Sequence, residues 1–322
     1  MTGGRSTLRP LSWAFVVLVA WPALTMAQDV PQTAWGAPDL QGVWDFRTIT
    51  PLERPENLGD KAFLTQEEAA QREQSAVDRA TRLWDREARR TEAGGNVGGY
   101  NNFWMDQGTN VIGTRRTSLI IDPPNGRLPE VTETGRARAA ANRGSFSSDL
   151  PASYTDLSNS DRCLMGFNAG PPMRSGAYNN NVMIFQTPEY VVIQNEMASQ
   201  ARVIPLEDTA KPPFAQLKGV SRGHWDGETL VIETTQFRSD SGMTGPNMHL
   251  IERLTRLDSD TVAYEYTVTD STVYTAPYTV MMPLRRTNGP IFEYACHEGN
   301  YGLYGILAGA RELERQGRVL RR

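Results

Sequence analysis

The chain is poor in the residues that most often announce chemistry. It holds two cysteines and three histidines in 322 residues. No Cys-x-x-Cys pair exists, and a three-histidine metal site would have to use His224, His249 and His297 together. A Gly-x-Gly-x-x-Gly or phosphate loop after a strand, a Gly-x-Ser-x-Gly elbow and a His-Glu-x-x-His helix are all missing, which removes the common signatures of exported hydrolases. There is no excess of positive charge. The net charge is −4, which argues against a nucleic-acid surface, because such a surface needs a basic field. After the first thirty residues no run is long and apolar enough to cross a bilayer. Internal repeats and low-complexity tracts are also lacking.

The N-terminus is different. Arg5 and Arg9 precede an apolar run from Leu11 to Leu24, and no acidic residue occurs before Asp29. Thr25-Met26-Ala27 places small residues where a signal peptidase reads them. The run is short for a membrane span and Pro22 interrupts it. The pattern predicts a Sec-type signal peptide over residues 1–27, cleaved after Ala27, and a periplasmic or secreted protein.

In an oxidising compartment two cysteines are most simply a disulfide, which predicts a Cys163–Cys296 bond. The rival is a thiolate nucleophile or metal ligand at Cys296, beside His297. Hydrophobic residues make up 39% of the chain, enough for a substantial core, and seven Trp and eleven Tyr suit a β-protein with an aromatic interior.

Residues 28–60 are rich in Pro and Gly, with a short opening strand over Asp39–Asp45. Thr65 is a good N-cap with Glu68 three residues on, which predicts a polar surface helix running to about Arg90. Arg116–Asp122 reads as a strand, closed by Pro123-Pro124-Asn125-Gly126. Residues 132–180 read as a long irregular crossing. From Asn181 strands come in quick succession: 182–187, 190–197, 201–206, a hairpin over 221–237 turning at Asp226-Gly227, then 249–257, 261–269, 274–284 and 291–296. In the 261–269 strand Val262, Tyr264, Tyr266 and Val268 share a face. A charged helix over 303–318 ends the chain.

Successive strands without intervening helices imply an antiparallel meander. Such a meander must close into a lipocalin-like barrel or half-barrel to protect its edges. The expectation is mainly β: one domain over 28–322, with an irregular N-terminal extension (about 28–180), a core meander (about 181–300), a surface helix and a short C-terminal helix.

In a barrel alternate residues face inward, so charges within apolar strands are informative. Glu196 follows Tyr190-Val191-Val192-Ile193, and Arg202 opens the next strand. His249 and Glu252 are three apart, which places them on opposite faces of a regular strand. By the same alternation Glu293 and His297 share one face, and Tyr294, Cys296 and Glu298 the other. A carboxylate and an imidazole converging on a ligand could move a proton.

Several tracts resemble a large family of uncharacterised exported bacterial proteins. They are Pro-Asp-Leu-Gln-Gly-Val-Trp (38–44), Arg-Arg-Thr-Ser-Leu-Ile-Ile-Asp-Pro-Pro-Asn-Gly-Arg (115–127), Tyr-Asn-Asn-Asn (178–181), Gln-Thr-Pro-Glu-Tyr-Val-Val-Ile (186–193), Ser-Arg-Gly-His-Trp-Asp-Gly-Glu-Thr-Leu-Val-Ile-Glu-Thr (221–234) and Tyr-Ala-Cys-His-Glu-Gly-Asn-Tyr (294–301). The resemblance implies export and brings no activity. The family pattern usually has a histidine near position 199 and an arginine at 224, where this chain has Ser199 and His224. Tyr178, Asn180 and Tyr294, in these tracts, are candidate ligand contacts together with Arg202.

The expectation is an exported enzyme performing cofactor-free acid/base chemistry of lyase, isomerase or hydrolase type on a small apolar or aromatic molecule. His297 is the expected proton carrier. Glu298, Glu196, His249 and Glu252 are its candidate complements. The alternatives are a non-catalytic binding protein with the same pocket and a metal-dependent oxidoreductase using His249, His297 and a carboxylate.

Overall fold

A computed structural model describes residues 30–85, 105–141, 151–207, 209–239 and 245–317. The expected leader over residues 1–27 lies outside the described residues, as does the last part of the helix expected to reach Arg90.

In chain order the elements are β1 (Gly42–Asp45), α1 (Gln66–Trp84), β2 (Ile120–Asp122), α2 (Glu133–Ala141), β3 (Asn181–Gln186), β4 (Tyr190–Asn195), β5 (Gln200–Pro205), β6 (Val220–Asp226), β7 (Thr229–Thr235), β8 (His249–Arg256), β9 (Thr261–Thr269), β10 (Tyr278–Arg286) and α3 (Tyr301–Arg315). The ten strands make one antiparallel, barrel-like sheet in the order β5-β4-β3-β1-β10-β9-β8-β7-β6, with β2 added on β10.

Alternation decides which side chains fill the barrel. Along β9 Val262, Tyr264, Tyr266 and Val268 are all buried, and the residues between them are half-buried. Register brings Leu254 of β8 and Met282 of β10 beside Tyr264, so three strands build one layer of core. Full burial of aliphatic side chains such as Ile184, Ile193 and Leu254 stabilises by about 1.5–3 kcal/mol each.

Strand β1 closes the gap between β3 and β10, with Gly42 opposite Ile184 and Trp44 opposite Arg286. The 38–44 tract explains how. Gln186 of β3 accepts from the Leu40 amide at 2.5 Å and donates to the Pro38 carbonyl at 3.1 Å. The Trp44 indole is fully buried and donates to the Leu40 carbonyl at 2.9 Å. The Arg256 and Arg286 guanidiniums lie 4.9 and 5.6 Å from its ring centre.

β5 and β6 end the sheet and face each other without a ladder between them. Side chains fill that seam. A Cβ added to Gly223 of β6 would lie 2.8 Å from Leu206 and 3.1 Å from Ile204, so glycine there lets the two apolar side chains seat against β6. The barrel is closed by packing at this point rather than by hydrogen bonds.

The β6–β7 turn sits one residue later than Asp226-Gly227. Gly227 and Glu228 are the two loop residues, and only Gly227 has positive φ (59°). Glycine at the first central position alone is the II′ pattern, whereas an Asp-Gly loop at 226–227 would have been of I′ type.

α1 begins as expected, with a reciprocal Thr65–Glu68 capping box, and only Ala69 of it is buried. α2 falls where irregular chain was expected. Its sequence, Glu-Thr-Gly-Arg-Ala-Arg-Ala-Ala-Ala, has no apolar stripe, and a Cβ on its Gly135 would strike the Val273 carbonyl at 2.6 Å. Close backbone approach holds this helix, and periodicity does not report it. Two further corrections concern strands. Of 116–122 only Ile120–Asp122 is strand, and 291–296 is not strand at all. That last segment follows Pro290 and is held by side chains. The Phe292 amide donates to Glu196 Oε1 (3.0 Å) and the Tyr294 amide to Ser199 Oγ (3.3 Å). No ladder partner orders its alternation.

Among the described residues no helix is long and apolar enough to cross a membrane.

Candidate functional site: a cleft at the mouth of the barrel

A cleft of about 780 Å³ opens where α1 passes over one end of the sheet. Its floor is apolar: Leu119, Met173, Val280, Met282 and the ring of Tyr266. Thr48–Leu52 and the 167–168 and 173–177 stretches form the walls, and α1 supplies Glu68, Arg72, Ser75 and Arg79 at the rim. The volume is in the usual range for small-molecule sites.

A buried polar network is joined to this floor through Met173. Arg202 of β5 and Glu252 of β8 form a two-point ion pair, with Nη1–Oε2 at 2.5 Å and Nη2–Oε1 at 2.9 Å. The Arg202 side chain is 9% exposed and that of Glu252 0%. The Tyr264 hydroxyl donates to Glu252 Oε1 at 2.7 Å and accepts the Met173 amide at 3.0 Å. Burial works against the charge on Arg202, but the facing carboxylate outweighs it and the guanidinium is held above its ordinary pKa. Burial, then Glu252, pushes the Tyr264 phenol well above its ordinary range. The bond from Tyr264 to Met173 ties this network to the wall that carries Arg174.

Arg174 is the cation inside the cleft. Its backbone is fixed on both sides: Met173 by Tyr264, and the Arg174 amide by the Asn168 carbonyl at 3.2 Å. The guanidinium makes no ion pair among the described residues. Tyr266, Tyr274 and Tyr278 feel its charge. Burial raises the pKa of all three phenols and Arg174 opposes that rise. The three therefore stay neutral at physiological pH. The Tyr274 and Tyr278 rings meet edge to face at 5.3 Å.

The residues singled out by sequence fall into separate places. Arg202 and Glu252 come together as described. His249 lies on the opposite face of β8, where its Nε2 is 2.7 Å from Glu233 Oε1. Glu196 is buried, but its carboxylate is spent on the Asn181 side chain (2.9 Å) and the Phe292 amide (3.0 Å). Its role there is to pin the C-terminal segment to the barrel. Asn180 is equally buried and equally occupied, bonding Gly176, Asn168 and the Asp106 carbonyl. It shapes the wall without facing the cleft. Tyr178 stacks on Tyr294 at 6.3 Å and meets Phe167 edge-on at 5.2 Å, behind the wall.

His297 and Glu298 are exposed, in the turn before α3. The alternation that drew them inward required a strand over 291–296, and none forms. They do not line the cleft. Cys163 and Cys296 form the disulfide, with an S–S distance of 2.02 Å, so Cys296 is not a free thiolate. His249 pairs with Glu233, but His297 does not join them. Among the described residues no three His, Cys, Asp or Glu side chains group as metal ligands.

Sequence reading missed Arg174, Arg72 and Arg79. Arg174 lies in an apolar-poor crossing, and nothing local marks it. The Arg72/Arg79 pair, seven apart on α1, was a readable signal of one helix face.

No family model matches the chain, and no curated protein matches it.

Proposed function

We propose that this protein is an exported binding protein for a small, largely apolar or aromatic molecule, held in the cleft under α1. The observation that carries this reading is the cleft itself: an apolar floor at the barrel mouth with convergent polar groups on its walls. The acid/base enzyme expected from sequence rested on His297, which stands away from the cleft, and no histidine lines the cleft among the described residues. Export is supported by the Arg5–Ala27 leader pattern, by the resemblance to exported bacterial proteins and by the Cys163–Cys296 bond, since disulfides persist in oxidising compartments.

Titration with an uncharged aromatic fluorophore, 1-aminoanthracene, tests the reading. Saturable binding at one site is expected. Ala76→Trp, a change on α1 that leaves the sheet's own residues as they are, should fill the cleft and weaken binding by about tenfold or more, a loss of roughly 1.4 kcal/mol. Absence of saturable binding, or equal binding by the Trp variant, would overturn it.

A further inference from the structure

The cleft carries a charge pattern that specifies more than an apolar ligand. Arg174 lines it without an anionic partner among the described residues. Its charge acts on the phenols of Tyr266, Tyr274 and Tyr278, which burial keeps neutral; Glu53 and Asp270 act on Tyr274 as well, but neither lines the cleft. From α1, Arg72 and Arg79 add two more cations to the rim, and neither forms an ion pair with a described residue. The carboxylate in the lining, Glu68, is held by Lys61 Nζ at 2.5 Å and by the Thr65 amide at 2.8 Å, and the charge of Arg72 also acts on it. Three arginines and one carboxylate line the cleft, although the whole chain is at −4.

We infer that the ligand is a monocarboxylic acid, with its carboxylate against Arg174 and its apolar body along Tyr266, Val280 and Met282. This deepens the binding reading and rests on it. A planar guanidinium pairs a carboxylate through two parallel hydrogen bonds, and a partly desolvated arginine without a counter-ion gains most from such a partner. The position of Arg174 is not left to its own flexibility. Met173 before it is held by Tyr264, and Tyr264 by the Glu252–Arg202 pair. Ser175 after it contacts the Thr48 amide at 3.3 Å. The anchor is thus built from the barrel core upward, which is what placing one end of a small molecule requires. Arg72 and Arg79 draw the acid toward the opening, and Arg174 receives it.

The test uses 2-naphthoic acid and dodecanoic acid, each compared with its primary amide, in calorimetric titrations on the wild-type protein, Arg174→Gln and Ala76→Trp. On the wild type each acid should bind about tenfold to a hundredfold more tightly than its amide, the range for a hydrogen bond to a charged group. The preference should shrink as salt is raised, because part of it is long-range attraction. Arg174→Gln should erase the preference by bringing acid binding down to that of the amide, with an unchanged circular dichroism spectrum and melting temperature showing that the variant is folded. Equal binding of acid and amide by the wild type overturns the carboxylate inference and leaves the cleft reading standing. So does an acid preference that survives Arg174→Gln. If neither acid nor amide binds, or if Ala76→Trp binds both as the wild type does, the cleft reading falls and the inference with it.

Discussion

Arg202 and Glu252 meet at two points inside the barrel, although their strands are far apart in the hydrogen-bonded order: β5 ends the sheet on one side and β8 is third from the other end. Their pair spans the seam that no ladder closes. Removing one partner leaves the other as an uncompensated buried charge, which costs about 3–5 kcal/mol. Arg202→Met and Glu252→Leu should each lower stability by that amount in chemical denaturation. The double variant should recover most of the loss, because it buries no charge. Single variants within 1 kcal/mol of wild type would show that the pair is not what holds the seam.

Lys218 stands at the same seam, with its Nζ 3.4 Å from the Ala201 carbonyl. Burial, and then the charge of Arg202, lowers its pKa from 10.5 to about 8. The unfolded chain therefore binds more protons than the native one between about pH 8 and 10.5, and this group makes the native state more stable as pH rises through that window. Lys218→Met should be more stable than wild type at pH 7, with the advantage fading towards pH 10.5. The buried tyrosines act in the opposite sense above pH 10, since their folded pKa values are raised. The difference between the two proteins isolates the lysine. A stability difference that is flat from pH 7 to 10.5 would show that Lys218 titrates normally.

The barrel was legible because its strands alternate strictly and short turns separate them. Val262-x-Tyr264-x-Tyr266-x-Val268 declares a buried face without any knowledge of its neighbours. The opposite faces of His249 and Glu252 follow from the same period. Where period is the only cue it also misleads. Ile291–Cys296 has an alternating look, yet its backbone is held by Glu196 and Ser199 side chains, contacts separated by about a hundred residues in sequence. The cleft was illegible for a related reason. Its wall, rim and floor come from the 48–52 loop, α1, the 167–177 crossing and β9–β10, and no local pattern links Arg174 to Arg72 or to Tyr266. That His249 and Glu252 take opposite faces was readable, but not which of them faces inward, nor that Arg202 is the partner of Glu252.

The disulfide joins residues 133 apart and ties the start of α3 to the loop that leads into the cleft wall at Phe167 and Asn168. Asn300 reinforces the junction by capping Leu303 and bonding the Asp161 carbonyl. Closing so long a loop restricts the unfolded chain, worth about 2–5 kcal/mol. Cys163→Ser/Cys296→Ser should lose that much in urea denaturation and should still form the barrel, whose core cluster contains neither cysteine. Circular dichroism checks the second half of the expectation. Unchanged stability would refute the first.

His297 separates the sequence reading from the structural one most sharply. The residue lies in the exposed turn at 296–299. Only its carbonyl is used, accepting the Asn300 amide at 3.3 Å, and glutamine in its place keeps that bond. Its imidazole makes no hydrogen bond or ion pair among the described residues. Neither the neighbouring disulfide nor the Asn300 cap depends on that side chain. His297→Gln should therefore stay within about 0.5 kcal/mol of wild-type stability, as exposed substitutions do. It should also bind 1-aminoanthracene and 2-naphthoic acid as the wild type does, whereas Arg174→Gln loses the acid. Thermal melting and the same calorimetric titrations measure both. A tenfold loss of ligand affinity in His297→Gln, with the fold intact, would return the site to the C-terminal turn and away from the cleft under α1.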